Sequence, residues 1–244
     1  MKSPLLAILP FLFAVRCSAQ TDTLTARVVP CPGESGLVLK GATHDLSLLD
    51  ICTLTITSGI SVSAHPDTLD ELLIVSDGEL DLTVGDSTTT IGAGGIALIP
   101  AGTVCNLEAD QARYYRFRFE PRNSAAPHPL PADAAVFIRP WAALKVLQTA
   151  KGLSRPIFSR PTFRLAKIDL HATTLNPGEV SHAPHNHRAE EIILMRFGHA
   201  RMFIDGARYP AGPGDLVYLP SGSAHALENN GAERCEYFAL QWEP

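Results

Sequence analysis

The chain has 244 residues, enough for one large domain or for two of about 100 residues each. Hydrophobic residues make up 45% and charged residues 18%, with a formal net charge of −5. The chain can therefore bury real cores, and it has no basic surface for nucleic acid or anionic lipid. With 18 Gly and 19 Pro, it favours frequent turns and short strands over long helices.

The N-terminus comes first. Lys2 gives a positive start, residues 5–15 are an apolar run, and Cys17-Ser18-Ala19 offers small residues for cleavage. The run is shorter than the roughly 20 residues that span a bilayer. Residues 1–19 therefore read as a secretory signal peptide, which predicts a periplasmic or secreted protein with no membrane span after cleavage. Export permits disulfides. Of the four remaining cysteines, Cys31 and Cys52 are the expected pair among three complete pairings.

Strands are expected over 71–76, 80–84, 87–91, 96–99 and 112–120, separated by Asp-Gly, Gly-Asp and Gly-Gly turn signals. Residues 121–131 are rich in Pro and Ala and read as a linker. Residues 140–151, opened by Pro140 and ended by Gly152, suit a short helix. Further strands are expected over 191–196, 200–204, 214–219 and 235–242.

A repeat organises these elements. His65, Asp67, Glu71, Gly78, Gly94, Pro100 and Cys105 are each followed 120 residues later by His185, His187, Glu191, Gly198, Gly214, Pro220 and His225. This is a tandem duplication. It divides the chain into a signal peptide (1–19), an N-terminal barrel (20–121), a linker with a short helix (122–152) and a C-terminal barrel (153–244). Many short strands in even succession predict an all-β protein of two closed jelly-roll barrels.

His185, His187, Glu191 and His225 form the candidate metal site. Strand alternation places His185 and His187 on one face about 7 Å apart, with Glu191 across a turn and His225 on a third strand. Three imidazoles and a carboxylate converging inside a barrel suit a divalent metal with open positions. In the first half the corresponding set is His65, Asp67, Glu71 and Cys105. All four can ligate, but two of them differ from the second-half set, so this barrel is expected to be a scaffold.

The patterns G-x6-H-x-H-x3-E-x6-G (178–198) and G-x5-P-x-G-x2-H-x3-N (214–229) resemble the two signature motifs of the cupin superfamily. The usual first motif has five residues, not six, between its glycine and first histidine. The resemblance covers about residues 60–242 and implies a bicupin like germin-related decarboxylases and quercetin-dioxygenase-like proteins, with barrel faces able to form a homodimer. It implies a divalent transition metal, with Mn or Fe ahead of Zn, Ni or Cu. It also implies dioxygenase or decarboxylase chemistry on a small carboxylate, enol or phenolic substrate. A metal-, sugar- or acid-binding protein without turnover is the alternative.

No catalytic acid or base stands out. His182 could gate substrate or move protons, although a surface histidine in a turn is the plainer reading. Arg188, Glu190 and Arg201 could contact a polar substrate, whereas strand parity turns Arg196 away from Glu191. Ile193, Met195 and Phe203 are expected to give the pocket an apolar wall.

Overall fold

The computed structural model describes residues 23–33, 35–57, 62–64, 69–123 and 136–244. The expected signal peptide, most of the expected linker, and His65 and Asp67 lie outside the described residues.

In the first half the strands are β1 (Arg27–Val29), β2 (Gly36–Gly41), β3 (Leu46–Thr57), β4 (Val62–Ala64) and β5 (Asp70–Val84). They continue with β6 (Ser87–Gly92), β7 (Ile96–Ile99), β8 (Cys105–Glu108) and β9 (Gln111–Pro121). After the gap come β10 (Phe137–Arg139), β11 (Leu147–Thr149), β12 (Gly152–Arg160), β13 (Lys167–Leu175) and β14 (Glu190–Phe197). The second half closes with β15 (Ala200–Ile204), β16 (Ala207–Ala211), β17 (Leu216–Leu219), β18 (His225–Glu228) and β19 (Cys235–Glu243). The offset of 120 survives in three dimensions: β7 and β17 match residue for residue, as do β8 and β18.

Each half closes a large sheet over a small one. The first has the order β10-β7-β5-β9-β3-β2, with β4, β6 and β8 on the small side; the second has β1-β17-β14-β19-β13-β12-β11 against β16-β15-β18. Strand β1 precedes the first barrel in the chain yet pairs with β17 of the second. Strand β10, which precedes the second barrel, pairs with β7 of the first. Each pairing covers a strand that would otherwise be an open edge.

The central strands β7, β14 and β17 are buried on both faces and read as continuous apolar runs, whereas β9 and β13 alternate. In β14, Ile192 and Leu194 pack between the barrels with Leu72, Phe117, Phe119 and Trp242. Ile193 and Met195 point into the second barrel with Met202, Val217 and Tyr237. The first barrel has its own interior around Leu73, Leu80, Leu82 and Tyr114.

Sequence expectation separates 71–76 from 80–84, but β5 is one bent strand with a bulge between Val75 and Asp77. The bend is made by Gly78, at φ 74°, as its repeat mate Gly198, at φ 75°, does between β14 and β15. A Cβ at Gly78 would lie 2.1 Å from Gln111 O, and one at Gly198 would lie 2.5 Å from Arg234 O.

The expected helix over 140–151 is not formed. A single 3-10 turn at Trp141–Ala143 is followed by β11, which makes a hairpin with β12. Trp141 is clamped between the guanidinium groups of Arg155 and Arg196, 4.5 and 4.2 Å from its ring, and both arginines bind Glu236. Tertiary stacking and a sheet edge thus override a segment too short to be a stable helix alone.

The expected Cys31–Cys52 disulfide is also absent, and all four described cysteines are free. Cys31 lies against Gly214 of the second barrel and contacts the Tyr115 hydroxyl at 3.3 Å, whereas Cys52 sits within β3 of the first.

Candidate metal centre

Glu191 is the second residue of β14 and lies on the barrel-interior side, the parity of Ile193 and Met195. His225 opens β18, and the two backbones meet the first-motif loop through reciprocal hydrogen bonds between His185 and His225, 3.2 and 2.9 Å. The expected strand through His185 and His187 is an irregular loop with this one bridge. Pro184 removes a ladder donor there, and the His187 ring folds back onto its own chain. The loop still gathers the histidines: the His185 ring centroid is 5.3 Å from that of His187 and 4.8 Å from that of His225. Asn229 anchors the far side, with its amide donating to Leu175 O and Glu233 O while its carbonyl oxygen accepts from Gly231 N.

Ring orientation decides what the cluster can hold. Nδ1 of His187 donates to Ala189 O at 2.8 Å, and Nδ1 of His225 donates to Ser223 O at 2.9 Å. In neutral imidazoles this leaves both Nε2 atoms as lone pairs. Both point at the same oxygen, Glu191 Oε2, from 3.2 and 3.1 Å. His225 Nε2 is fully buried, with Glu191 Oε2 facing it at 3.1 Å. Two lone pairs and a carboxylate oxygen facing one another repel unless a proton or a metal ion lies among them: a protonated ring donates Nε2–H to Glu191, and a metal ion would take the proton's place. The ligand atoms of His187, Glu191 and His225 all lie within 4.8 Å of one another, as do those of His182, His185 and His225. The donor set fits a divalent metal.

The titration behaviour follows from the same contacts. Burial works against the Glu191 carboxylate, yet the hydrogen bonds and charges of His187 and His225 overcome it and hold Glu191 at about 2. The Glu191 hydrogen bond pushes His187 up. Burial and neighbouring histidines push His182 and His185 down, towards the neutral form that binds metal.

A cavity of about 510 Å³ opens over this cluster. Its walls include Leu175, Ile193, Met202, Leu227 and Ala239, with polar groups from His171, Thr173, Tyr237 and Gln241. Lys151, at the tip of the β11–β12 hairpin, is on its rim and donates to Val180 O and Ser181 O at 2.7 and 3.1 Å. Lys151, His171, Thr173, Tyr237 and Gln241 are absent from the sequence reading. For the β13 and β19 residues the signal was strand parity, since Leu170, Ala172, Phe238 and Leu240 face the other barrel.

The remaining expectations divide. Ile193 lines the cavity, but Met195 packs behind it. Phe203 faces outward beneath Arg208, and Met202 takes its place. Arg188 is committed to Asp45 by two hydrogen bonds of 2.6 and 2.9 Å, and Arg201 lies 3.6 Å from Glu228. Glu190 faces away from the cavity, into the contact between barrels. It accepts from the Thr43 and Tyr218 hydroxyls, the His44 and Asp45 amides and the Trp242 indole. In the first barrel, Arg116 Nε lies 3.9 Å from Glu71, so a guanidinium stands near the repeat mate of Glu191. Cys105, the mate of His225, is a buried thiol pushed up to about 11 by burial and by Glu71.

A cupin-domain family profile matches residues 171–240, which span β13 to β19 and every residue of the cluster. The C-terminal half is a cupin domain. Among solved structures, a point mutant of oxalate decarboxylase OxdC from Bacillus subtilis superposes with a TM-score of 0.69 at 13% identity, covering 90% of this chain and 78% of that one. AerE of Microcystis aeruginosa superposes at 0.65 and 15% identity, covering 90% and 97%. These likenesses give the chain the bicupin fold. The chain is also similar, over 59 residues at 41% identity, to mannose-1-phosphate guanylyltransferase of Escherichia coli K12. That match takes in 24% of this chain and only 12% of the enzyme's length. Among the described residues of the bicupin, no helix is long and apolar enough to cross a membrane.

Proposed function

We propose that this bicupin is a divalent-metal-dependent enzyme acting on a small, oxygen-rich anion: a carboxylate, an enolate or a phenolate. The observation that carries the reading is the meeting of two imidazole lone pairs and the Glu191 carboxylate at the base of a 510 Å³ cavity with a lysine on its rim. His185, His187, Glu191 and His225 would hold the ion, and three nitrogens with one hard oxygen suit Mn(II) or Fe(II), with Zn, Ni and Cu as alternatives. The ion would supply a Lewis-acid centre for negative charge developing on substrate oxygen.

The chain's own groups do the rest. Two of the Lys151 N–H groups are used by Val180 and Ser181, leaving the third to meet an anionic group. Thr173, Tyr237 and Gln241 offer hydrogen bonds along one wall, and Ile193, Met202 and Leu227 exclude water from the other. Decarboxylation and dioxygenation both fit this arrangement. The fold likeness to oxalate decarboxylase supports the first, and the single intact ligand set in this chain argues against a two-site enzyme of that kind.

Binding without turnover is the second reading, favoured by one observation: among the described residues lining the cavity, only the histidines, Tyr237, the proposed ligand Glu191 and the engaged Lys151 can exchange a proton. Carbon dioxide release and dioxygen uptake, measured on a panel of dicarboxylates, 2-oxo acids, enols and phenols, separate the two. Turnover lost in His187→Ala supports the enzyme. Tight retention without product supports the binder, and inertness with every metal and compound would overturn both. Export rests on residues 1–19, and sequencing the N-terminus of the natively expressed protein tests it: an intact Met1-Lys2 start in a cytoplasmic fraction would sink it.

A further inference from the structure

Among the described residues, Asp205 is the one non-glycine with a positive φ, at 48°. It opens the two-residue turn of the β15–β16 hairpin and is followed by Gly206 at φ 86°. Glycine takes that left-handed conformation freely, whereas a side chain resists it. The repeat mate of Asp205 is Gly85, at φ 57° in the β5–β6 turn, so the first barrel makes the same turn with no carboxylate. Crowding does not account for the difference, because a Cβ at Gly85 would meet nothing within 4 Å. The barrel that carries the carboxylate is the one that keeps a histidine at 225, where the first barrel has Cys105.

Both hydrogen bonds of that carboxylate go to the turn ahead of His225. Oδ2 accepts from the Ser223 hydroxyl at 3.0 Å, and Oδ1 accepts from Ala224 N–H at 2.8 Å. The Ala224 N–H belongs to the same peptide unit as the Ser223 carbonyl, and that carbonyl accepts from His225 Nδ1 at 2.9 Å. A trans peptide is planar, with its N–H and C=O pointing in opposite directions, so holding one end fixes where the other end points. The carboxylate also polarises the peptide, which makes its carbonyl a stronger acceptor. We infer that Asp205 is a positioning residue for the metal centre: through the Ser223–Ala224 peptide it aims the Ser223 carbonyl at His225 Nδ1 and keeps Nε2 turned towards Glu191. The inference rests on the metal centre proposed above. It extends the usual carboxylate–histidine–metal relay by one peptide unit.

The test compares full-length wild type, Asp205→Gly and Asp205→Asn, all stripped of metal. Asp205→Gly keeps a turn that the first barrel already makes, and Asp205→Asn keeps an oxygen acceptor and tolerates the left-handed conformation. Two quantities are read: cobalt(II) affinity, and water exchange of the His225 ring Nδ1 proton in metal-free, nitrogen-15-histidine-labelled protein. The resonance is assigned by its absence in His225→Gln. Asp205→Gly is expected to weaken cobalt about tenfold and to speed exchange of that proton severalfold, and Asp205→Asn to recover most of both. The ring proton of His187, held by Ala189 O, should exchange alike in all three. Wild-type affinity and exchange in Asp205→Gly would overturn the inference, as would equal loosening of His187 and His225. A folded wild type that takes up no cobalt would overturn the metal centre, while exchange at His225 would still decide whether Asp205 holds the ring.

Discussion

Asp70 and Glu190 stand 120 residues apart in the chain, and each reaches across to hold the equivalent turn of the opposite barrel. Asp70 accepts from the backbone N–H of Arg164, in a turn closed by Thr162, and Glu190 accepts from His44 and Asp45, in a turn closed by Thr43. Both carboxyl groups are fully buried. Each immediately precedes the repeat's other acid, Glu71 or Glu191, so one strand presents one carboxyl to the neighbouring barrel and the next to its own interior. Assembly of the pair of barrels and placement of Glu191 are thereby mechanically linked.

Replacing Glu190 with Ala leaves five donors without their acceptor: two hydroxyls, two amides and an indole. Buried donors left unpaired cost about 1–3 kcal/mol each, reduced by relaxation and water entry. The expected loss is at least about 3 kcal/mol, read as a lower urea midpoint at unchanged slope. Asp70→Ala, with fewer described donors, should lose less. A Glu190→Ala midpoint within about 1 kcal/mol of wild type would contradict the link.

The metal-free centre should leave a signature in pH. Glu191 is depressed to about 2 from 4.5, so its contribution is complete above the unfolded value and disappears as pH falls through 2. His187 is raised above 6.5, so its contribution is complete below 6.5 and disappears as pH rises through the folded value. The stability difference between wild type and Glu191→Gln, both stripped of metal, should be greatest between about 4.5 and 6.5 and shrink on either side. Urea midpoints at pH 3, 5.5 and 8.5 check this, and a difference that grows steadily to pH 8.5 would contradict it.

Lys151 sets the expected charge preference of the cavity. Lys151→Met should weaken an anionic ligand at least tenfold and flatten the dependence of its binding on salt, with metal content unchanged. Calorimetric titration at two salt concentrations reads both effects. Equal affinity for the anion would remove Lys151 from the site.

Much of this was legible in the sequence, and particular residues explain what was not. The strands β7 and β17 were located, and His225 was placed on a third strand, because turn glycines and prolines carry local meaning that tertiary packing does not erase; β8 and the extent of β18 were not expected. Glu190 and Glu191 have opposite strand parity, the signal that turns Glu190 away from the cavity, although Glu190 was still expected as a possible substrate contact. Arg188 misled because its partner, Asp45, lies 143 residues away, a pairing that no local pattern encodes. The 140–151 segment misled for the same reason: Trp141 is held by Arg155 and Arg196, and β11 by β12. Phe203 and Met202 differ by one position, and a register error of one residue exchanges the two faces of a strand.

The measurement that bears most directly on the central claim is elemental mass spectrometry of the folded protein purified without chelator, beside its His187→Ala and Glu71→Gln variants. The account predicts about one divalent transition-metal ion per chain in wild type and in Glu71→Gln, and a severalfold loss in His187→Ala. Two ions per chain, with one lost in Glu71→Gln, would place a second centre in the first barrel. No ion in wild type, even after reconstitution, would contradict the claim that His185, His187, Glu191 and His225 form a metal centre.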